Sequence, residues 1–280
     1  MNSTLQIRKL IESNEPFFIG RIAGIELQLA YHHLQYTVTS YHIKELEQNA
    51  GIYCESSESR KKYVEELLES YNDCSVIAEW DITGKVFQIT GKGQQLISER
   101  TPTIPKIDAL ALEPYYFSEA MSWMPALKGK RILVIHPFVE TMKEQLTKAV
   151  FPGRSWFEDC EFVFVKPPVT FAGNHQNTDW QQHSNQNKIQ IDLAIQSNKK
   201  IDITLVAAGG YGMLLSHYLY KKHGISVMYI GGALQLFFGI IGKRWFDNKQ
   251  VLQMVNDDWT RPSESEKPAN HLVVERGCYW

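Results

Sequence analysis

An α/β fold, with a mostly parallel, doubly wound sheet covered by helices on both faces, is what this sequence predicts. Three observations predict it. Short apolar runs alternate with helical patterns of about ten to fifteen residues. The runs lack the strict polar/apolar alternation of a sheet with one wet face, so both of their faces are buried. Glycine pairs at Gly209-Gly210 and Gly231-Gly232 stand where two of the runs give way to a helix, the place of βα turns in open sheets.

In chain order, Phe17-Phe18-Ile19 reads as a strand ending at Gly20-Arg21, and Gly24 to Leu34 follows as a helix with Ile25, Leu29 and Leu34 at roughly helical spacing. Ser59 to Ser70 repeats the helical pattern, with Tyr63, Val64, Leu67 and Leu68 on one side, and Cys74 to Ala78 is a short strand. From Gly84 to Pro125 the period is lost and four prolines interrupt the chain, which predicts irregular structure with short helices. Arg131 to Ile135 is a strand stopped by His136-Pro137, and Val139 to Val150 is an amphipathic helix. Glu161 to Val165 is a strand stopped by Pro167-Pro168. The polar stretch from Asn174 to Asn187 reads as a loop before a helix around Lys188 to Ser197. Asp202 to Val206 is a strand opening into Ala207-Ala208-Gly209-Gly210-Tyr211-Gly212, then a helix from Met213 to Lys222 capped by Gly224. Ser226 to Ile230 is the last strand, and Gly231-Gly232 opens a helix from Ala233 to Phe238. No internal repeat and no linker divides the chain, so residues 1–280 read as one domain.

Composition narrows the function classes. Apolar residues make up 44% and charged residues 21%, as in folded soluble chains. Twenty-nine basic residues against 31 acidic ones, scattered in short runs, do not make a nucleic-acid footprint. The N-terminus lacks the apolar core of a signal peptide, and the most apolar stretch, Met228 to Gly242, is too short to span a bilayer, so no membrane span is expected. Cysteines at 54, 74, 160 and 278 fit neither a CxxC metal site nor a disulfide framework, which points to a reducing, cytoplasmic compartment.

The chemistry-bearing residues gather at the ends of the expected strands. Glycine turns before a helix expose backbone N–H groups to an anion, so Gly209, Gly210, Gly231 and Gly232 suit a phosphate-bearing ligand, although the same glycines also serve tight turns. Lys243-Arg244 could neutralise a pyrophosphate, or lie as ordinary cations on a solvated helix end. Arg21 and Glu26 flank the first strand-to-helix turn, where the carboxylate could bind a ribose or a metal, act as a base, or complement the helix dipole. Glu79 and Asp81 form a second, weaker carboxylate pair. His136 follows a strand and could take a proton from a hydroxyl. Asp179, with His175 and His183, lies in the polar stretch that could cover the crevice. A nucleophile elbow and a Walker loop are both missing, and Gly91-Lys92-Gly93 reads as a turn because Leu96 replaces the third glycine of a dinucleotide fingerprint.

Several of these segments resemble one family. Ile19-Gly20-Arg21-Ile22 with Glu26, Val134-Ile135-His136-Pro137-Phe138, Ala208-Gly209-Gly210-Tyr211-Gly212, Gly231-Gly232-Ala233-Leu234-Gln235 and Phe238 to Trp245 are similar to segments of the GT-D fold glycosyltransferases, as are Trp259-Thr260-Arg261-Pro262 and Gly277-Cys278-Tyr279-Trp280. The resemblance implies a Rossmann-like domain that takes a nucleotide-sugar, usually a UDP-sugar, and transfers the sugar to a hydroxyl of a glycan or glycoconjugate. Taken with the reading of the residues, the resemblance places the donor on Gly20, Arg21, Gly209, Gly210, Tyr211, Gly231, Gly232, Gln235, Lys243 and Arg244, with Glu26, His136 and Asp179 as candidate bases. It also implies a divalent cation, Mn²⁺ or Mg²⁺, held by an Asp-x-Glu motif. Here that motif reads Gly24-Ile25-Glu26, so the aspartate is missing. A non-catalytic nucleotide- or glycan-binding module of a polysaccharide assembly system is the alternative expectation.

Overall fold

The structure, a computed structural model, describes residues 2–148 and 154–280. Seven strands form one sheet, parallel throughout: β1 (Phe18–Arg21), β2 (Val76–Glu79), β3 (Lys106–Asp108), β4 (Arg131–Ile135), β5 (Glu161–Val165), β6 (Ile203–Val206) and β7 (Ser226–Tyr229). Their order is β3-β2-β1-β7-β6-β4-β5, so the first strand lies between the second and the last. The expected α/β architecture is the one observed.

Alternate strand residues point into two separate cores. Ile19, Val76, Ile132, Val134, Ile203, Leu205 and Met228 meet α1 (Ser3–Glu12), α6 (Val139–Thr147) and the aromatic segment after β7. Phe18, Ile77, Leu133, Ile135, Val206 and Val227 meet the opposite layer. That layer consists of α2 (Ile25–Leu34), α4 (Ser57–Asn72), α5 (Lys85–Arg100), α7 (Trp180–Gln196) and α8 (Gly212–His223). Burial on both faces explains why β6 and β7 are apolar without alternation. A short helix, α3 (Ser40–Glu45), runs into a π-helical turn at Leu46–Ala50, and α9 (Lys249–Leu252) lies near the end of the chain. The last residues of the expected Val139 to Val150 helix, 149 and 150, lie outside the described residues.

Two expectations need correction, and both have the same physical cause. The stretch after Gly84 is not irregular at first: it holds the 16-residue α5, and Gly91-Lys92-Gly93 is part of that helix rather than a turn. Its inward stripe is Thr90, Gly93, Gln94 and Ile97, at helical spacing but mostly polar or small. Gln94 replaces apolar contact with two hydrogen bonds, accepting from the Trp80 N–H (2.9 Å) and donating to the Trp80 carbonyl (2.8 Å). Likewise α7 begins at Trp180, inside the expected polar loop, and buries Trp180, Ser184, Asn187 and Ile191. The segment Gly231–Phe238 is a 3-10 helix, ended by Gly239 in the left-handed conformation.

Gly93 lets α5 approach α2. A Cβ there would stand 2.6 Å from Leu27 Cβ and 3.1 Å from the Leu27 carbonyl carbon. Alanine at this position gains about 1 kcal/mol of helix propensity, but overpacking costs about 1–3 kcal/mol. Gly93→Ala is therefore expected to lower unfolding free energy in a denaturant titration, and an unchanged or raised midpoint would show that α2 and α5 are free to separate.

Candidate functional site

The carboxyl ends of β1, β2 and β7 converge on Arg21. Its side chain is only 14% exposed, and the guanidinium donates to the Ile230 carbonyl just beyond β7. Nη2 lies 3.4 Å from Glu113 Oε1, and the group stacks 4.5 Å above the Trp80 ring at the end of β2. Glu113 in turn accepts from the Tyr115 hydroxyl. A buried cation is tolerated only when paired and hydrogen-bonded, and here it has a carbonyl, a carboxylate and an indole face.

Gly231 makes this arrangement possible. Its φ is +73°, and a Cβ would come within 3.1 Å of Arg21 Nη1. Beside it, a Cβ at Gly232 would fall 2.4 Å from the Tyr279 ring. Gln235 holds the same strand of chain, donating to the carbonyls of Ile240 (3.2 Å) and Tyr279 (3.3 Å). Arg244 is exposed at the rim, donating to the Tyr279 hydroxyl (3.1 Å) and pairing with Glu275 (3.2 Å). Lys243 is exposed next to it.

Glu26, in the first turn of α2, is 8% exposed. Burial pushes its carboxyl above the usual range, a hydrogen bond from its own backbone opposes this, and the nearby Glu275 adds to the rise. The Tyr229 hydroxyl is also driven up, by burial first and then by Glu26. Arg21 and Tyr279 also lie close enough to act on the Tyr229 hydroxyl, and Arg21 on that of Tyr279.

Other expected site residues lie elsewhere or are engaged in the fold. Gly20 is within β1, where a Cβ would meet Cys74 Sγ at 2.5 Å. Gly209 and Gly210 pack against Ala50 and Ile52, and their carbonyls accept from Tyr229 (3.1 Å) and Tyr63 (2.9 Å). Tyr211 is buried among the helices of that layer. Asp179 is the N-cap of α7: one oxygen accepts from the Gln181 N–H (3.0 Å), the other from the Glu55 N–H (3.1 Å) and the Ser59 hydroxyl. His175 pairs with Glu47 (3.0 Å) and stacks on Tyr53, while His183 reaches the His175 carbonyl. His136 is buried, Nδ1 accepting from the Phe138 N–H (2.9 Å), and burial lowers its pKa to about 3.

The carboxylates do not fit the cation that the Asp-x-Glu motif would hold. Glu79 accepts from Ser98 (2.7 Å) and Asp81 turns back onto Thr83. Glu275 is the one carboxylate that acts on Glu26 among the described residues, and no trio of His, Cys, Asp or Glu among them is placed to hold a metal.

Trp80, Glu113, Tyr229 and Glu275 are members of the crevice that sequence reasoning missed. Glu113 belongs to the proline-broken connection after β3, where no periodicity marks it. A separate concavity of about 520 Å³ lies between α4, α7 and α8, with Glu65, Glu66 and Glu69 on one wall and Lys188, Lys221 and Lys222 on the other. It contains none of the expected site residues. Among the described residues no helix is long and apolar enough to cross a membrane.

No family model, curated protein or solved structure matches this chain.

Two outcomes follow from the engaged residues. Asp179→Ala removes a helix cap and strands two further donors, and is expected to destabilise by about 2–4 kcal/mol in chemical denaturation. A loss below 0.5 kcal/mol, within the noise of a surface change, would contradict the capping role. His136 is neutral in the folded chain down to about pH 3, whereas the unfolded chain protonates near 6.5. The unfolded state therefore binds more protons between these values, and stability falls as pH drops from 6.5. Between pH 6.5 and 4.5 this contributes about 2–3 kcal/mol, and the His136→Asn variant should show a correspondingly shallower acid limb in stability measured against pH.

Proposed function

We propose that the chain is a glycosyltransferase of the GT-D type, moving a sugar from a nucleotide-sugar, with a UDP-sugar as the donor class, to a hydroxyl of a glycan or glycoconjugate. The observation that carries the reading is the conjunction of Arg21 with the Gly231-Gly232 turn at the carboxyl ends of the two central strands. That is where anionic ligands bind in open α/β sheets, and the first N–H groups of the following 3-10 helix have no intrahelical acceptor.

In this reading the diphosphate lies along the Gly231 turn, with Arg244 and Lys243 as counter-charges at the rim. As the bond between the anomeric carbon and the diphosphate oxygen breaks, negative charge grows on the leaving group. Preorganised cations and N–H donors stabilise that charge without reorganisation. The acceptor hydroxyl forms the new bond to the anomeric carbon and gives its proton to Glu26, whose burial raises its basicity. His136 and Asp179 fit this role less well, because the ligation of their polar atoms to backbone and Ser59 leaves them holding the fold. The same two assignments favour the alternative of a binding module without catalysis, and turnover distinguishes the two.

The first test is titration calorimetry with UDP. Replacing both Lys243 and Arg244 by Ala is expected to weaken UDP about ten- to a hundredfold, the range of a charge-assisted contact; unchanged affinity would move the diphosphate away from this rim. The second test is release of free nucleoside diphosphate by Glu26→Gln, which keeps the volume and removes the charge. A fall of about a hundredfold or more with little change in melting temperature is expected of a lost general base. Full turnover would remove Glu26 from the chemistry, and tight UDP binding with no turnover in the parent would favour the binding module.

A further inference from the structure

The first half of α5 is built inside out. Its inner stripe carries Thr90 and Gln94, while Ile82 in the preceding turn, Val86 and Ile89 are exposed by 71%, 40% and 65%. Contiguous exposed apolar side chains on one face mark an interaction surface. From Lys85 to Ser98 the chain has no acidic residue, and the exposed Lys85 and Lys92 stand one turn to either side of Ile89.

The face continues onto neighbouring helices through ring contacts. Lys92 Nζ lies 5.3 Å from the centre of the Tyr31 ring on α2, and Tyr31 meets His32 edge-on. His32 stacks on His42 of α3 at 4.0 Å, and His42 in turn meets Tyr41, itself 61% exposed. Exposed aliphatic side chains, a largely exposed tyrosine and lysines with no salt bridge among the described residues are the composition of a bilayer interface. Asp81, at the end of β2, is the acidic residue next to Ile82.

We propose that the α5–α2–α3 face docks on an anionic membrane surface, inserting Ile82, Val86 and Ile89 at the headgroup boundary with Lys85 and Lys92 on the lipid phosphates. The commitment to a bilayer rather than a protein partner rests on this charge complementarity. Because α5 begins where β2 ends, docking there holds the Arg21–Trp80 crevice at the membrane surface. The inference stands apart from the sugar-transfer reading and requires no turnover.

The test is co-sedimentation of the full chain with vesicles of phosphatidylcholine, with and without phosphatidylglycerol. Binding to the anionic vesicles is expected to exceed binding to the neutral ones at least tenfold and to be released by salt. Each lysine near an anionic surface contributes about fivefold in partitioning, so Lys85→Gln with Lys92→Gln should lose about twenty-five-fold. Ile82→Ser, Val86→Ser and Ile89→Ser together should also lose at least tenfold, with an unchanged melting temperature because all three are exposed. Lys61→Gln with Lys62→Gln, on the exposed side of α4, should bind as the parent does. The proposal is overturned by equal binding to both vesicle types, by an equal loss in the α4 variant, or by no vesicle binding at all. A concentration-dependent dimer that the triple serine variant abolishes, without vesicle binding by the parent, would assign the face to a second copy of the chain.

Discussion

A guanidinium set below the surface at the end of β1 has to be satisfied, and much of the surrounding structure answers to that requirement. Arg21 draws the carbonyl of Ile230, the carboxylate of Glu113 and the ring of Trp80 to one point. These come from three different connections, after β7, after β3 and after β2. Replacing the cation would leave Glu113 as a buried charge with, among the described residues, the Tyr115 hydroxyl as its remaining side-chain partner, the situation in which breaking a pair costs more than never having made it. The left-handed Gly231 follows from the same demand, since a side chain there would press on the guanidinium.

This pairing also relates scaffold to chemistry. The sheet supplies rigid strand ends; the connections, which have no regular partners of their own, supply the polar groups. Glu26 illustrates the division. It begins α2, where a carboxylate suits the helix dipole, yet it is buried against tyrosines, so its environment favours the protonated form more than an exposed first-turn glutamate would. A carboxyl tuned in this way holds or accepts a proton nearer to neutral pH.

The parts of the fold legible in the sequence are those whose inward faces are apolar. Arg131–Ile135 and Glu161–Val165 have the bounds that composition suggests, and α4, with Tyr63, Val64, Leu67 and Leu68 inside, lies within two residues of its expected ends. Helix α5 and the first turns of α7 escaped because Thr90, Gln94, Ser184 and Asn187 face inward and are invisible to hydrophobic periodicity. At the site, glycines were found readily and their roles less so. Gly231 adjoins the buried arginine, whereas the equally conspicuous Gly209-Gly210 pair is filled by Ala50, the last residue of a π-helical turn that leaves no sequence signal, and by Ile52 just beyond it. Glu113 and Trp80 acquire meaning only when distant strands bring them together.

The strand order has a consequence in time. β1 pairs with β7, about two hundred residues later in the chain. At a synthesis rate of about 5–20 residues per second, the interval between them is roughly ten to forty seconds. Until β7 is made, Phe18 and Ile19 have at most β2 to pair with, on one side, so the nascent chain carries an unpaired apolar edge of the kind that invites wrong partners. Completion of the sheet from its middle makes the first strand synthesised one of the last to be enclosed, and the Arg21 crevice cannot form before β7 has been made.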